Sequence, residues 1–157
     1  MFQVIDQTAD FLVIDKSPGI SVHKDQQEQG LVMLLQQALG IEQLFLVHRL
    51  DKMTSGLLIL AKHATAASEL SKLFQQREVS KFYLAISDKK PGKKQGLVRG
   101  DMVKARRGSW KLSKTCENPA QTQFFSYSIG NGLRLFLLKP HTGKTHQIRV
   151  AMKSVGA

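Results

Sequence analysis

The chain has 157 residues, with 23 lysines and arginines against 12 aspartates and glutamates, a formal net charge of +11. A composition that is 42% hydrophobic and 22% charged excludes wholesale disorder. No apolar run approaches the roughly 18 residues that span a bilayer. The opening MFQVIDQTADF has neither the basic start nor the apolar stretch of a signal peptide. The lone Cys116 excludes an intramolecular disulfide framework and a Cys-based zinc cluster. The expectation is a single domain over 1–157 in a reducing cytoplasm, with Cys116 as a filler or surface residue.

In chain order, Phe11 to Ile14 reads as a buried strand that ends at the turn signal Asp15-Lys16-Ser17-Pro18-Gly19. Apolar residues at 31, 34, 35 and 38 have helical spacing, and Gly40 is a natural stop. Gly56 to Ala61 suits a strand inside a sheet. Thr65 to Arg77 carries Ala66, Ala67, Leu70, Leu73 and Phe74 on one stripe, the pattern of an amphipathic helix. Lys81 to Ser87 alternates Phe82, Leu84 and Ile86 with Tyr83 and Ala85, a strand. Gln121 to Ile129 and Leu133 to Lys139 read as two more strands, joined by Gly130-Asn131-Gly132, a hairpin turn tolerant of positive φ. No repeat or linker interrupts the chain. The fold class expected is α+β, a mixed, mostly antiparallel sheet with flanking helices.

Charge is unevenly spread. Residues 1–80 carry a net −2 and residues 81–157 a net +13. Between Lys89 and Lys114 ten basic residues (Lys89, Lys90, Lys93, Lys94, Arg99, Lys104, Arg106, Arg107, Lys111, Lys114) meet one acid, Asp101. Such a stripe fits a polyanion, because lysine and arginine release the counterions of the phosphates they neutralise. The competing reading is a solvated loop that serves solubility. A membrane surface fits less well, since the stripe lacks the apolar face of an interfacial helix.

The segment Val47-His48-Arg49-Leu50-Asp51-Lys52-Met53-Thr54-Ser55-Gly56-Leu57-Leu58-Ile59-Leu60-Ala61-Lys62 places a polar cluster with one carboxylate directly before a strand. Loops at strand ends are where a rigid scaffold presents reactive groups. The string resembles the HRLDxxTSGLLxxAK signature of the RluA-type pseudouridine synthases, which isomerise uridine in ribosomal or transfer RNA. Lys81-Phe82-Tyr83-Leu84-Ala85 resembles the family's KxYxA strand. The run from Lys139 to Val150 (KPHTGKTHQIRV) resembles its KPxTGRTHQxRVH motif. Leu12 to Gly19 is a weaker match to the family's entry segment, as is Pro119-Ala120-Gln121-Thr122 before a strand. The resemblance runs from about Phe11 to Gly156.

The resemblance implies the family's catalytic fold and an RNA partner, ribosomal RNA ahead of transfer RNA, with no cofactor. It implies that Asp51 is the catalytic carboxylate, either a nucleophile toward the sugar or a base that removes a sugar proton. It implies that Tyr83 stacks on uracil, that Arg149 pairs with Asp51 and holds it ionised, and that Ile148 packs near the base. Arg49 would fill the gap left when the uridine leaves its stack. Thr54, Lys144 and His146 are expected to contact substrate. Lys144 stands where the family usually has arginine, a point charge in place of a bidentate fork. Ala151 stands where the motif usually has histidine. The family continues with LGxPIxGD and further strands, so a fragment of a longer protein is expected, without the accessory N-terminal RNA-binding domain of some relatives.

No metal is expected. His48, His141 and His146 are the candidates, but His141 and His146 are five apart, which is not the i, i+4 spacing that aligns two ligands, and no cysteine or acidic pair accompanies them. Thr142-Gly143-Lys144-Thr145 lacks the upstream glycine of a phosphate loop. A monomer without membrane association is expected. Two competing functions are a catalytically inactive RNA-binding module with the same fold and an enzyme for a small anionic metabolite. The length of the basic stripe disfavours the second.

Overall fold

Every second residue of Phe11–Lys16 is buried, and that alternation builds the first sheet. The computed structural model describes residues 2–22 and 30–157. The chain forms two compact units, Met1–Glu78 and Val79–Ala157.

The first unit contains β1 (Phe2–Gln7), β2 (Phe11–Lys16), α1 (Leu31–Leu39), β3 (Phe45–Leu46), β4 (Gly56–Ala61) and α2 (Ala64–Gln75). Its strands form one sheet in the order β1-β2-β4-β3, antiparallel throughout. The β2–β4 register sets Leu12 opposite Leu60 and Ile14 opposite Leu58, and all four are fully buried with Leu31 and Leu35 of α1. Each such side chain contributes about 1.5–3 kcal/mol of burial. The same register continues to Lys16 opposite Gly56, so a lysine takes the third inward position of β2. Helix α1 stops at Gly40, whose φ of 64° lets its N–H close on the Gln36 carbonyl.

Helix α2 has an unusual cap. His63 Nδ1 accepts the Ala66 N–H at 3.2 Å, which leaves Nε2 to donate to Asp10 at 3.0 Å. The helix begins at Ala64 and ends at Gln75, short of the expected Arg77, whose φ of 64° has left the helical region.

The second unit contains β5 (Tyr83–Ser87), β6 (Gln95–Gly100), β7 (Met102–Lys104), β8 (Trp110–Leu112), β9 (Ala120–Gly130), β10 (Leu133–Pro140) and α3 (Gln147–Ser154). Its main sheet runs β5-β10-β9-β6, and β7-β8 is a separate two-stranded ribbon. The β9–β10 turn is the expected one, with positive φ at Gly130, Asn131 and Gly132. Phe124, Phe136, Leu138 and Met152 form the core of this unit, joined by Tyr83, Ala85, Val98, Ile148 and Val155.

The α+β class and its antiparallel pairing hold. In place of one mixed sheet, the described residues form two antiparallel four-stranded sheets and a ribbon. Residues 95–112, read from sequence only as a charged stripe, are strands β6, β7 and β8 around a single 3-10 turn at Arg106–Gly108. In β6 the inward positions are Gly96, Val98 and Gly100 and the outward ones include Leu97, so hydropathy does not alternate with burial. No helix among the described residues is long and apolar enough to cross a membrane.

Candidate functional site

In the first unit, Arg49, Asp51 and Thr54 stand on the loop from β3 to β4. Leu50, 7% exposed, anchors the loop, so its neighbours turn the other way: Arg49 is exposed and Asp51 half-buried. The Thr54 N–H donates to the Asp51 carbonyl at 2.9 Å and closes a turn. Gly56, at φ 121°, carries the chain into β4 through a conformation that favours glycine. Upstream, His48 Nε2 accepts the Ile59 N–H at 2.9 Å while its ring stacks on Phe74 at 4.4 Å. His48 is thus a structural brace between the loop, β4 and α2.

Lys16 holds this loop from below. Its fully buried side chain donates from Nζ to the carbonyls of Ser17 and Ile20, both at 3.1 Å, and of Lys52 at 3.2 Å. The Lys52 carbonyl also accepts the Gly19 N–H at 2.8 Å. Burial pushes the Lys16 ammonium below its ordinary range, and the Asp51 charge acts in the opposite direction. The residue after Asp51 is therefore tied to the β2 turn at two points, with a buried cation in the electrostatic field of the carboxylate. The sequence reading missed Lys16 as a functional position. The available signal was parity: 12, 14 and 16 share one face of β2, so a lysine at 16 had to be buried with partners.

In the second unit, Gln147 organises the Thr142–Arg149 segment. It is 5% exposed and fills all four of its hydrogen-bonding positions. Oε1 accepts from the Thr142 hydroxyl at 2.7 Å and the Lys144 N–H at 3.0 Å. Nε2 donates to the Gln121 carbonyl at 3.0 Å and the Thr122 hydroxyl at 2.9 Å. The Thr142 oxygen in turn accepts the Gln121 N–H at 3.0 Å. These bonds fasten the loop to β9 and fix where Lys144 and His146 stand. His146 enters α3 at φ 55°. Ile148 and Tyr83 meet on the same apolar cluster, while Arg149 is exposed on the first turn of α3. Burial lowers the pKa of Lys81, two residues before Tyr83. Gln147 and Thr142 were also missed, although both lie inside the motif that singled out their neighbours.

Nine members of the basic stripe are exposed along β6, the β7–β8 ribbon and their loops; the side chain of the tenth, Arg107, lies outside the described residues. The acid within the stripe has a structural task. The Asp101 carboxylate accepts from the Thr115 side chain and from the N–H groups of Glu117 at 3.0 Å and Asn118 at 2.9 Å, which hold its carboxyl below the usual range. Among the described residues, no three His, Cys, Asp or Glu side chains cluster to hold a metal.

The sequence profile of the RNA pseudouridylate synthase family matches residues 10–154. The chain belongs to this family. It is of the RluA type. It is 59% identical, over 99% of its length, to an uncharacterised RNA pseudouridine synthase of Haemophilus influenzae, and covers 69% of that protein. It is 32% identical over 98% of its length to the dual-specificity RNA pseudouridine synthase RluA of Escherichia coli O6:H1, covering 72% of it. The solved structure of human RNA pseudouridylate synthase domain containing 1 matches 99% of the chain at a TM-score of 0.80 and 26% identity. The chain covers 66% of that structure, so it spans about two thirds of the length of each of these pseudouridine synthase relatives.

Proposed function

We propose that the protein isomerises uridine to pseudouridine in structured RNA, ribosomal or transfer, with Asp51 as the catalytic carboxylate. The observation that carries this reading is the Asp51 turn: a half-buried carboxylate whose backbone is tied on both sides, in a chain of the RNA pseudouridylate synthase family. The reaction breaks the N1–C1′ bond, turns the uracil and joins C5 to C1′. It is balanced in atoms and electrons without oxidation or hydrolysis. One carboxylate can therefore suffice, either attacking the sugar or removing a proton from it. A hydrolytic glycosidase, which must also activate water, usually needs two.

The remaining assignments follow the family resemblance. Tyr83 offers a flat face to uracil, Ile148 lies on the same apolar cluster, Arg149 is the cation that the resemblance gives to the catalytic carboxylate, and Thr54, Lys144 and His146 supply charge and hydrogen bonds to the substrate. The test is to incubate the purified chain with ribosomal and transfer RNA and map pseudouridine at single-nucleotide resolution. Conversion of discrete uridines is expected. RNA binding without any conversion would replace this reading with that of an inactive binding module.

Arg49 is exposed beside Leu50, free to follow RNA into the space an extruded base leaves. Extrusion costs a few kcal/mol, and least where the base is already unpaired. Arg49→Ala should therefore slow single-turnover conversion in a stable stem-loop more than in a short RNA whose target uridine is unstacked. Equal losses on the two substrates would assign Arg49 to holding the loop instead.

The stripe supports RNA binding through phosphates. Replacing Lys93, Lys94, Lys104 and Arg106 with glutamine should weaken binding and flatten its salt dependence. Each lost contact is expected to reduce the slope of log affinity against log salt by about 0.7–0.9. A slope identical to wild type would make the stripe a solvated surface.

A further inference from the structure

A cleft of about 600 Å³ lies in the second unit between the β7–β8 ribbon and the loop Gly143–Thr145. Met102, Val103 and the half-exposed Trp110 line it from the ribbon, and Thr115, Glu117, Asn118, Lys144 and Thr145 supply polar groups. Its volume lies within the roughly 300–1,000 Å³ of sites that enclose small organic groups. The cleft puts Trp110 in the same lining as Lys144, whose substrate contact is otherwise unspecified and whose charge also acts on Asp101. We propose that this cleft binds one nucleotide of the RNA other than the isomerised uridine, its base stacked on Trp110 and its phosphate on Lys144.

The inference rests on the reading of the protein as an RNA enzyme, and one general property of bases, with two observations of the fold, carries it. Every base has a π-face, and an indole is a sequence-tolerant platform for it. Lys144 is placed by its own backbone, since its N–H is bound to the buried Gln147 amide, so its position relative to the ribbon does not depend on a flexible loop. The cleft wall is likewise fixed. The Asp101 carboxylate is spent on the backbone N–H groups of Glu117 and Asn118, which holds that rim in place.

The acids also select among occupants. A bare anion would meet Asp101 and Glu117 as well as Lys144, and two carboxylates against one ammonium disfavour it. A nucleotide differs, because it places apolar area on Trp110, Met102 and Val103 and can offer base N–H groups to Glu117 and Asn118. Lys104, Arg106 and Lys111, exposed on the same ribbon and its turn, are placed for the adjoining phosphates.

Trp110 is the chain's single tryptophan, so its emission reports this cleft alone. The chain is titrated with a five-residue oligoadenylate and, separately, with inorganic phosphate. Binding is followed in parallel by the anisotropy of a fluorescein label on the RNA. The expected result is saturable quenching of Trp110 by the RNA, with the same midpoint as the anisotropy, and no quenching by phosphate. Lys144→Gln should shift both midpoints about tenfold to weaker binding. This substitution lies outside any strand and leaves the Lys144 backbone bond available, so folding is not at stake. Trp110→Phe should keep anisotropy-detected affinity within a few fold, whereas Trp110→Ala should lose about tenfold.

Anisotropy that saturates while Trp110 emission stays constant would overturn the proposal, as would quenching by phosphate equal to that by RNA. The pseudouridine assay separates this test from that of the enzymatic reading. Conversion with a silent Trp110 refutes the cleft alone, and quenching without conversion refutes the enzyme and leaves an RNA-binding cleft.

Discussion

Asp51→Asn is expected to reduce pseudouridine formation by about 10³-fold or more, while RNA affinity changes by less than about tenfold. The amide has the shape of the carboxylate, and the contacts that define the turn are made by backbone, so the Thr54 N–H to Asp51 carbonyl bond survives the change. What is lost is the negative oxygen that attacks the sugar or takes its proton. Removing that charge also takes away its favourable field at the Lys16 ammonium, so a small fall in stability should accompany the loss of activity. Substantial turnover by the variant would remove Asp51 from the reaction. Single-turnover conversion, with anisotropy for affinity, checks both halves of the expectation.

Lys16→Met should destabilise the fold by about 2–4 kcal/mol. Methionine fills similar volume but removes the Lys16 donor from the carbonyls of Ser17, Ile20 and Lys52. A buried acceptor without a donor costs about 1–3 kcal/mol. The sum is moderated because a buried cation, itself costly, disappears. The pH dependence has a definite sign. With its folded-state pKa lowered by burial, Lys16 releases its proton in the folded chain before it does so in the unfolded one. The unfolded state then binds more protons, so the wild type's unfolding free energy gains from this group as pH rises from the folded pKa to the ordinary value of 10.5. The methionine variant lacks that gain. Denaturant titrations of both proteins at pH 7 and near pH 10 test the expectation. Equal midpoints at pH 7 would show that Lys16 does not hold the loop. Because the Asp51 turn hangs from the Lys52 carbonyl, conversion rate should fall in the variant with RNA affinity little changed.

Local pattern revealed the elements whose inward face is apolar and long enough to count. Leu31 to Leu39 and Gly56 to Ala61 coincide with α1 and β4, and the glycine-rich turn between β9 and β10 lies where its residues demand. Among what escaped are two elements and one helix start. Strand β1 carries five exposed positions in six, so burial leaves almost no period in it. Helix α3 lies inside a motif read for its chemistry, and its buried residues Gln147, Val150, Ala151 and Met152 mix polar with apolar, which blunts a hydropathy signal. Helix α2 was legible from its apolar stripe, but its start was not, because histidine is not among the residues by which a helix start is ordinarily recognised.

The candidate site divides in the same way. Asp51, Tyr83 and Arg149 are singled out because each sits in a run of residues that resembles a known family. Lys16 and Gln147, which position the loops carrying Asp51 and Lys144, act through main-chain carbonyls and N–H groups. Such partners are fixed by tertiary register, so the side chain's identity says that it needs them without saying which they are. The Trp110 cleft is less legible still, since it is made by residues from 101 to 145 that come together only when the ribbon and the loop are in place.

The two units are contiguous in sequence, and that bears on how the protein is made. Every strand pairing of the first sheet is closed by Ala61, and α2 is complete at Gln75. A ribosome adds about 5–20 residues per second. The 79 residues of the second unit therefore take roughly 4–16 seconds to synthesise after the first is finished. Small mixed domains order within milliseconds to seconds. The first unit thus has time to set the turn that bears Asp51, with Lys16 beneath it, before the Gln147-fastened loop is translated.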